Sequence, residues 1–346
     1  MSGVLMVPSR TLGDDRAPLR TCMASSARRG KVQHLMTPRL ISDRQTTLAG
    51  SVTLQGVGAH SNIMSRVTLS PADANSGVIF LRSEDEQVEG RWSHVSASQW
   101  RTRLGRGAAA ISTVEHLMAA LYGMGVDNAV VDTTGLEIPA MDGSARAFVE
   151  AINETGIITL GAPRRRLMVV EPVRVSDGDS YAELLPAREG LSLDIEIDFP
   201  KSPIGRQRRR LALTRRTFVE ELAGARTFGF VKDAERLWRE GLALGASLEN
   251  TIALTDDRIL NREGLRFADE FVRHKMLDAV GDLALAGLPI VGAFRSYRCG
   301  HRLNHALVER LMTTPSASEM AGDVRHSGTE TAAGRAARMA WVVRLP

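Results

Sequence analysis

Short runs of alternating apolar and polar residues open the readable part of the chain. They cover 48–54, 66–69 and 78–81, and their period of two predicts half-buried strands. From Ser112 the pattern turns helical, and Gly123 or Gly125 closes it; a strand at 128–132, a turn at 138–145 and a helix at 147–152 follow. Gly161-Ala162-Pro163-Arg164-Arg165-Arg166 interrupts the pattern and reads as a domain linker. Strands resume at 167–175, 181–185, 191–199 and 210–213, then a helix at 214–223, a short helix around Trp238 and a strand near 251–254. Residues 273–283 carry Met276, Leu277, Val280 and Leu283 on one buried helical stripe. That helix ends at Gly287, a strand covers 290–294, and His301 opens another helix. The two halves rhyme: helix, glycine, Val/Ala-rich strand, helix. The expected fold class is α+β, with two similar domains, each a small sheet packed on helices. Their expected spans are 46–162 and 163–312, with an extension at 1–45 and a loosely held tail at 313–346.

Composition changes this picture little. At 43% hydrophobic and 24% charged, the 346 residues look like an ordinary soluble globular protein. No apolar run approaches the roughly 18 residues of a spanning helix, so no stable membrane insertion is expected. Two cysteines, Cys22 and Cys299, cannot build a disulfide framework, which points to a reducing cytoplasm. Residues 1–45 hold eight Arg/Lys and three Asp, so this segment carries +5 and the rest of the chain −1. The basic pI therefore says little about the partners of the folded part. Three readings of the segment compete: a disordered basic arm, a targeting segment, or sequence upstream of a true start near Met36. The run Arg206-Gln207-Arg208-Arg209-Arg210 lacks interleaved aromatics and reads as a solvated hairpin, with nucleic-acid binding the weaker rival. Residues 96–108 read as a basic loop.

The candidate chemistry lies in a few short stretches. His274, Asp278 and Asp282 are spaced by four and share one helical face, where an imidazole and a carboxylate one turn apart can reach one metal ion. An exposed His–Asp pair is the plainer reading of that spacing. In Ser112-Thr113-Val114-Glu115-His116, Ser112 and Glu115 fit a capping box; alternatively, Glu115 and His116 present a base beside a metal ligand. His60, at the tip of Gly56-Val57-Gly58-Ala59-His60-Ser61, and Asp142 read as ordinary loop and turn residues. His301 and His305 stand one turn apart and are either a metal pair or plain surface histidines. The preferred role for His301 is proton donor, because a nearby carboxylate such as Asp282 would keep it charged.

Five motifs in order resemble one family: Ile111-Ser-Thr-Val-Glu-His-Leu117, Ile138-Pro-Ala-Met-Asp-Gly-Ser144, Ala225-Arg-Thr-Phe-Gly-Phe230, the stretch Phe271 to Asp282, and Gly300-His301. Together, from about Thr46 to Met312, they are similar to UDP-3-O-acyl-N-acetylglucosamine deacetylase, the committed enzyme of lipid A synthesis in Gram-negative bacteria. The resemblance implies a layered two-domain sandwich with the active site between the domains. It implies Zn2+, or iron in its place, held by His116, His274 and Asp278. It also implies Glu115 as general base, His301 oriented by Asp282 as general acid, and Thr227 at the oxyanion. Lys275 would approach the nucleotide phosphates, and Phe228 and His60 would belong to the substrate site. The insert near 230–260 would form the acyl passage. The implied partner is a UDP-linked acylated amino sugar, with no nucleic acid, and the implied state a monomer. Two loops depart from the family pattern: Gly56-Val-Gly-Ala-His-Ser-Asn62 lacks its leucine and last glycine, and Arg101 to Arg106 replaces a run of small hydroxyl residues. These departures are the support for an alternative, a non-catalytic paralogue that binds a UDP-sugar or lipid precursor.

Overall fold

The computed structural model describes residues 43–322 apart from 84, 85 and 98, so the readings of 1–42 and 323–346 lie outside the described residues. The fold is α+β. A five-stranded sheet has the order Val52–Val57, Met64–Pro71, Ala129–Thr133, Val78–Ser83, Glu86–Glu89; only the pairing of Val78–Ser83 with Ala129–Thr133 is parallel. A seven-stranded sheet is built around Ile290–Tyr297. That strand pairs parallel with Leu191–Phe199 and Arg166–Val169 and antiparallel with Ser180–Leu185.

Among the described residues six α-helices accompany the sheets: α1 (Glu115–Met124), α2 (Arg146–Thr155), α3 (Arg215–Thr217), α4 (Ala234–Arg239), α5 (Glu270–Ala284) and α6 (His301–Thr313). α1 and α5 are buried on almost every side, and α5 buries Glu270, His274, Asp278 and Asp282 along with its apolar residues. α2 buries only Phe148, Val149, Ala151 and Ile152 and packs on Val52–Val57 and α1. α5 lies against the strands Leu191–Phe199 and Gly205–Leu213, and α6 against Val173–Asp177 and Ser180–Leu185.

The crossing of α1 and α5 sets the site. A Cβ at Gly281 would overlap the Glu115 carbonyl, so only glycine lets the backbones come this close. Gly281→Ala is expected to destabilise the protein by about 1–3 kcal/mol, as overpacking does, and to depress activity as well. Chemical denaturation checks this; a change under about 0.5 kcal/mol, the scale of a neutral surface substitution, would show that the helices can spread freely.

Several local expectations are corrected. Ser112 does not cap α1: it lies in the short strand Ile111–Ser112, the N-cap is Val114, and no side chain caps there. The supposed linker is ordered, because Ile157–Pro163 is a strand paired with Arg44–Leu48, and Arg164 is buried with its Nε 2.8 Å from Asp127. The basic loop contains the strands Val95–Ala97 and Arg103–Leu104, which pair with each other, and the second of them also pairs with Ile111–Ser112. The tail returns at Ser318–Ala321 to pair with Arg166–Val169. The helix expected at 214–223 is one α turn capped by Thr214, followed by π-helical Phe218–Leu222. Phe218 sits so close to Gly123 that any larger residue there would strike its ring. The basic run belongs to the hairpin of Leu191–Phe199 with Gly205–Leu213, and its arginines pair with Asp194, Glu196, Glu221 and Asp269.

Candidate active site

α5 presents His274, Asp278 and Asp282 one turn apart, and the close crossing at Gly281 brings in Glu115 and His116 from the start of α1. His116 Nε2 and His274 Nε2 each lie 3.4 Å from Asp278 Oδ1. The two rings meet edge to face with centroids 5.0 Å apart. One ligand atom from each of the three residues lies within 4.8 Å of the others, and all three residues are buried.

The surroundings orient these groups. His274 Nδ1 donates to the Ala225 carbonyl at 3.1 Å, which leaves the Nε2 lone pair facing inward. Asp278 Oδ2 accepts from Lys275 Nζ at 2.6 Å, while Oδ1 is buried with no hydrogen-bond partner. Burial pushes the Asp278 carboxyl up, but His274 and Lys275 outweigh it and hold the group well below the usual carboxylate range. Burial also drives His274 down to about 4 against the pull of Asp278. An ionised oxygen left unpaired between two imidazoles is costly unless a cation joins them. Two imidazole nitrogens and one carboxylate oxygen are a donor set that fits a divalent metal.

Two further groups face this cluster. Glu115 is buried and accepts the Thr102 amide at Oε2, 3.1 Å away; burial pushes its carboxyl up, against His301 and His116. His301 Nδ1 donates to Asp282 Oδ2 at 2.8 Å, which turns Nε2 toward Glu115 Oε1 at 4.0 Å and Asp278 Oδ2 at 3.9 Å. Burial works against the charged imidazole, but Asp282 and Asp278 prevail and lift His301 to about 9. Both His301 and His305 are buried, so the surface-histidine alternative is excluded. Asp142 is a turn residue, accepting from Ser144 and from Arg266.

Phe228 stands with its ring 6.1 Å from His274 and packs edge-on to Phe271 and Phe199. It lies in Phe228–Phe230, paired in parallel with Ile252–Leu254. Thr227 just before it is held by backbone bonds to Gly143 and Ile252. His60 accepts the Ala243 amide at Nδ1 (3.2 Å) and joins its loop to the 243–245 turn. Burial lowers His60 to about 4 despite Glu137 nearby. The ammonium of Lys275 is engaged by Asp278.

Three supporting residues were not apparent from the sequence. Glu137 accepts the His60 and Ser61 amides and the Thr113 hydroxyl. A Cβ at Gly58 would overlap that carboxylate, which accounts for the glycine. Arg226, buried against Glu270, fixes the 225–228 segment; its place inside a motif was the available signal. Thr102 is fully buried between Glu115 and Asp282, and nothing in its basic surroundings announces it.

An α+β fold enclosing two histidines, an aspartate and an adjoining glutamate has the make-up of a hydrolase site. Comparison with known proteins makes this particular. The model of the family described as UDP-3-O-acyl N-acetylglycosamine deacetylase matches residues 45–313. Proteins named UDP-3-O-acyl-N-acetylglucosamine deacetylase from Brucella ovis, Brucella canis and Brucella suis are each 49% identical over 280 residues, covering 80% of this chain and 98% of theirs. The chain belongs to this deacetylase family. Among the described residues, no helix is long and apolar enough to cross a membrane.

Proposed function

We propose that this protein is a cytoplasmic, monomeric zinc-dependent amidohydrolase. It removes acetate from UDP-3-O-acyl-N-acetylglucosamine in lipid A synthesis. The observation that supports this most is the buried, unpartnered Asp278 Oδ1 between the Nε2 atoms of His116 and His274. Zinc held by these three residues would polarise the acetamide carbonyl and acidify a water. Glu115 takes a proton from the water as its oxygen bonds to the carbonyl carbon. The C–N bond then breaks, and the amine nitrogen takes a proton from His301 Nε2, leaving amine and acetate. Asp282 holds the His301 ring in the orientation that points this proton inward. Thr227 steadies the developing oxyanion, Lys275 and His60 meet the polar part of the substrate, and Phe228 packs on the sugar or nucleotide. The two domains are 46–162 and 163–312, and the insert near 230–260 receives the acyl chain. Nothing in the site supports the non-catalytic alternative, since the base, the acid and the cation donors stand together.

Incubating the purified protein with the acylated UDP-sugar should release acetate, and a chelator should stop it; intact substrate after incubation with zinc would overturn the reading. The pH profile adds a sign. His301 is raised above its ordinary value, so it is protonated at neutral pH and loses its proton as pH rises through about 9. Activity should fall across that window. Asp282→Asn removes the strongest raising influence and should move the alkaline limb to lower pH; an unmoved limb would take His301 out of the acid role.

A further inference from the structure

Thr102 has all three of its polar groups committed, and each goes to a different part of the site. Its amide donates to Glu115 Oε2 at 3.1 Å. Its carbonyl accepts the amide of Thr113 at 2.8 Å, and Thr113 sits at φ +59°, unusual for a β-branched residue, just before α1. Its hydroxyl lies 2.7 Å from Asp282 Oδ1 and 2.8 Å from His305 Nε2. The hydroxyl has one hydrogen, and an ionised carboxylate can only accept, so that hydrogen goes to Asp282. The Thr102 oxygen must then receive its second bond from His305. His305 Nδ1 is buried without a partner, and Nε2 also faces Asp282 Oδ1 at 3.2 Å, so the imidazole hydrogen belongs on Nε2. A directed chain results: His305 Nε2–H to Thr102 Oγ1, Thr102 O–H to Asp282 Oδ1, and His301 Nδ1–H to Asp282 Oδ2.

We propose that Thr102, its hydroxyl oriented by His305, is a positioning residue that locks the glutamate on α1 and the Asp282–His301 pair into one register. Both residues are buried and act through other groups of the site. The inference rests on the deacetylase reading, with Glu115 as base and His301 as acid. It gives Thr102 and His305 a task that core packing alone does not require. A threonine serving only the core would be replaceable by isosteric valine without loss of turnover per folded molecule.

The test uses the full chain with zinc and compares Thr102→Val, Thr102→Ser, His305→Phe and His305→Gln. Loss of a hydrogen bond to a charged group predicts a fall in kcat of about ten- to a hundredfold for Thr102→Val and His305→Phe. KM and zinc content should stay near wild type. Thr102→Ser restores the hydroxyl and His305→Gln an N–H near the Nε2 position, so both should recover most of the loss. The double variant Thr102→Val/His305→Phe should be little worse than either single one, since both break the same chain. Proton NMR adds a readout independent of turnover: the downfield imidazole N–H signal of His301 should move in Thr102→Val and stay in Thr102→Ser. Unchanged kcat and an unmoved signal in Thr102→Val would overturn the inference. An inactive wild type would instead count against the deacetylase reading, and the NMR comparison would still decide the positioning role.

Discussion

Glu115→Gln should lower acetate release by about 10²–10⁴-fold, the usual contribution of a positioned general base, while leaving bound zinc in place. The substitution keeps the shape of the side chain and an oxygen for the Thr102 amide, which now bonds to Oε2 at 3.1 Å. It removes the lone pair that takes a proton from water. Glu115 is buried and faces His301 across 4.0 Å, and the neighbouring carboxylates of Asp278 and Asp282 are engaged by Lys275 and His301. Burial already raises this carboxyl, which suits a base that must accept a proton and give it up again. Turnover of the glutamine variant at wild-type rate would exclude Glu115 from the chemistry.

Asp278→Ala should have a larger and different effect: loss of bound zinc together with loss of activity to background. Asp278 is the only carboxylate among the three proposed ligands, and its Oδ1 is the atom both imidazoles face. The substitution also strands Lys275, whose ammonium now sits 2.6 Å from Oδ2, and that adds a stability cost. The Lys275 side chain is about one-fifth exposed, so the ammonium can turn toward water and the fold survives. His274→Ala should also lose zinc but without this second penalty. Elemental analysis of both variants, beside thermal melts, separates the effects; full zinc retention in either would count against this ligand set.

The sequence makes some of this arrangement legible and hides the rest, for physical reasons. The four-residue spacing of His274, Asp278 and Asp282 places them on one face wherever the helix goes, and α5 presents them so. The apolar stripe around them makes that face an inner one, and all three are buried. The α+β class is equally visible in the change of period from two to that of a helix. The depth of the α1–α5 crossing is not visible, because it depends on the missing side chain of Gly281, and an isolated glycine in a helix usually reads as a weakness. Ser112 and Glu115 fit a capping pattern that the backbone does not use, since strand pairing with Arg103–Leu104 takes Ser112 instead. Thr102 is 180 residues from Asp282 and in no periodic segment, so only the folded chain reveals the contact. The stretch at 161–166 looked like a linker because glycine, proline and three arginines break the pattern. Edge pairing with Arg44–Leu48 tolerates the proline, and Asp127 pairs with buried Arg164.

The most direct test of the account is zinc titration of the metal-stripped protein with acetate release as the readout. Activity should be absent without metal and rise to a plateau at one ion per chain, and the plateau should vanish in Asp278→Ala. Full acetate release from the stripped protein, or a plateau unaffected by Asp278→Ala, would contradict it.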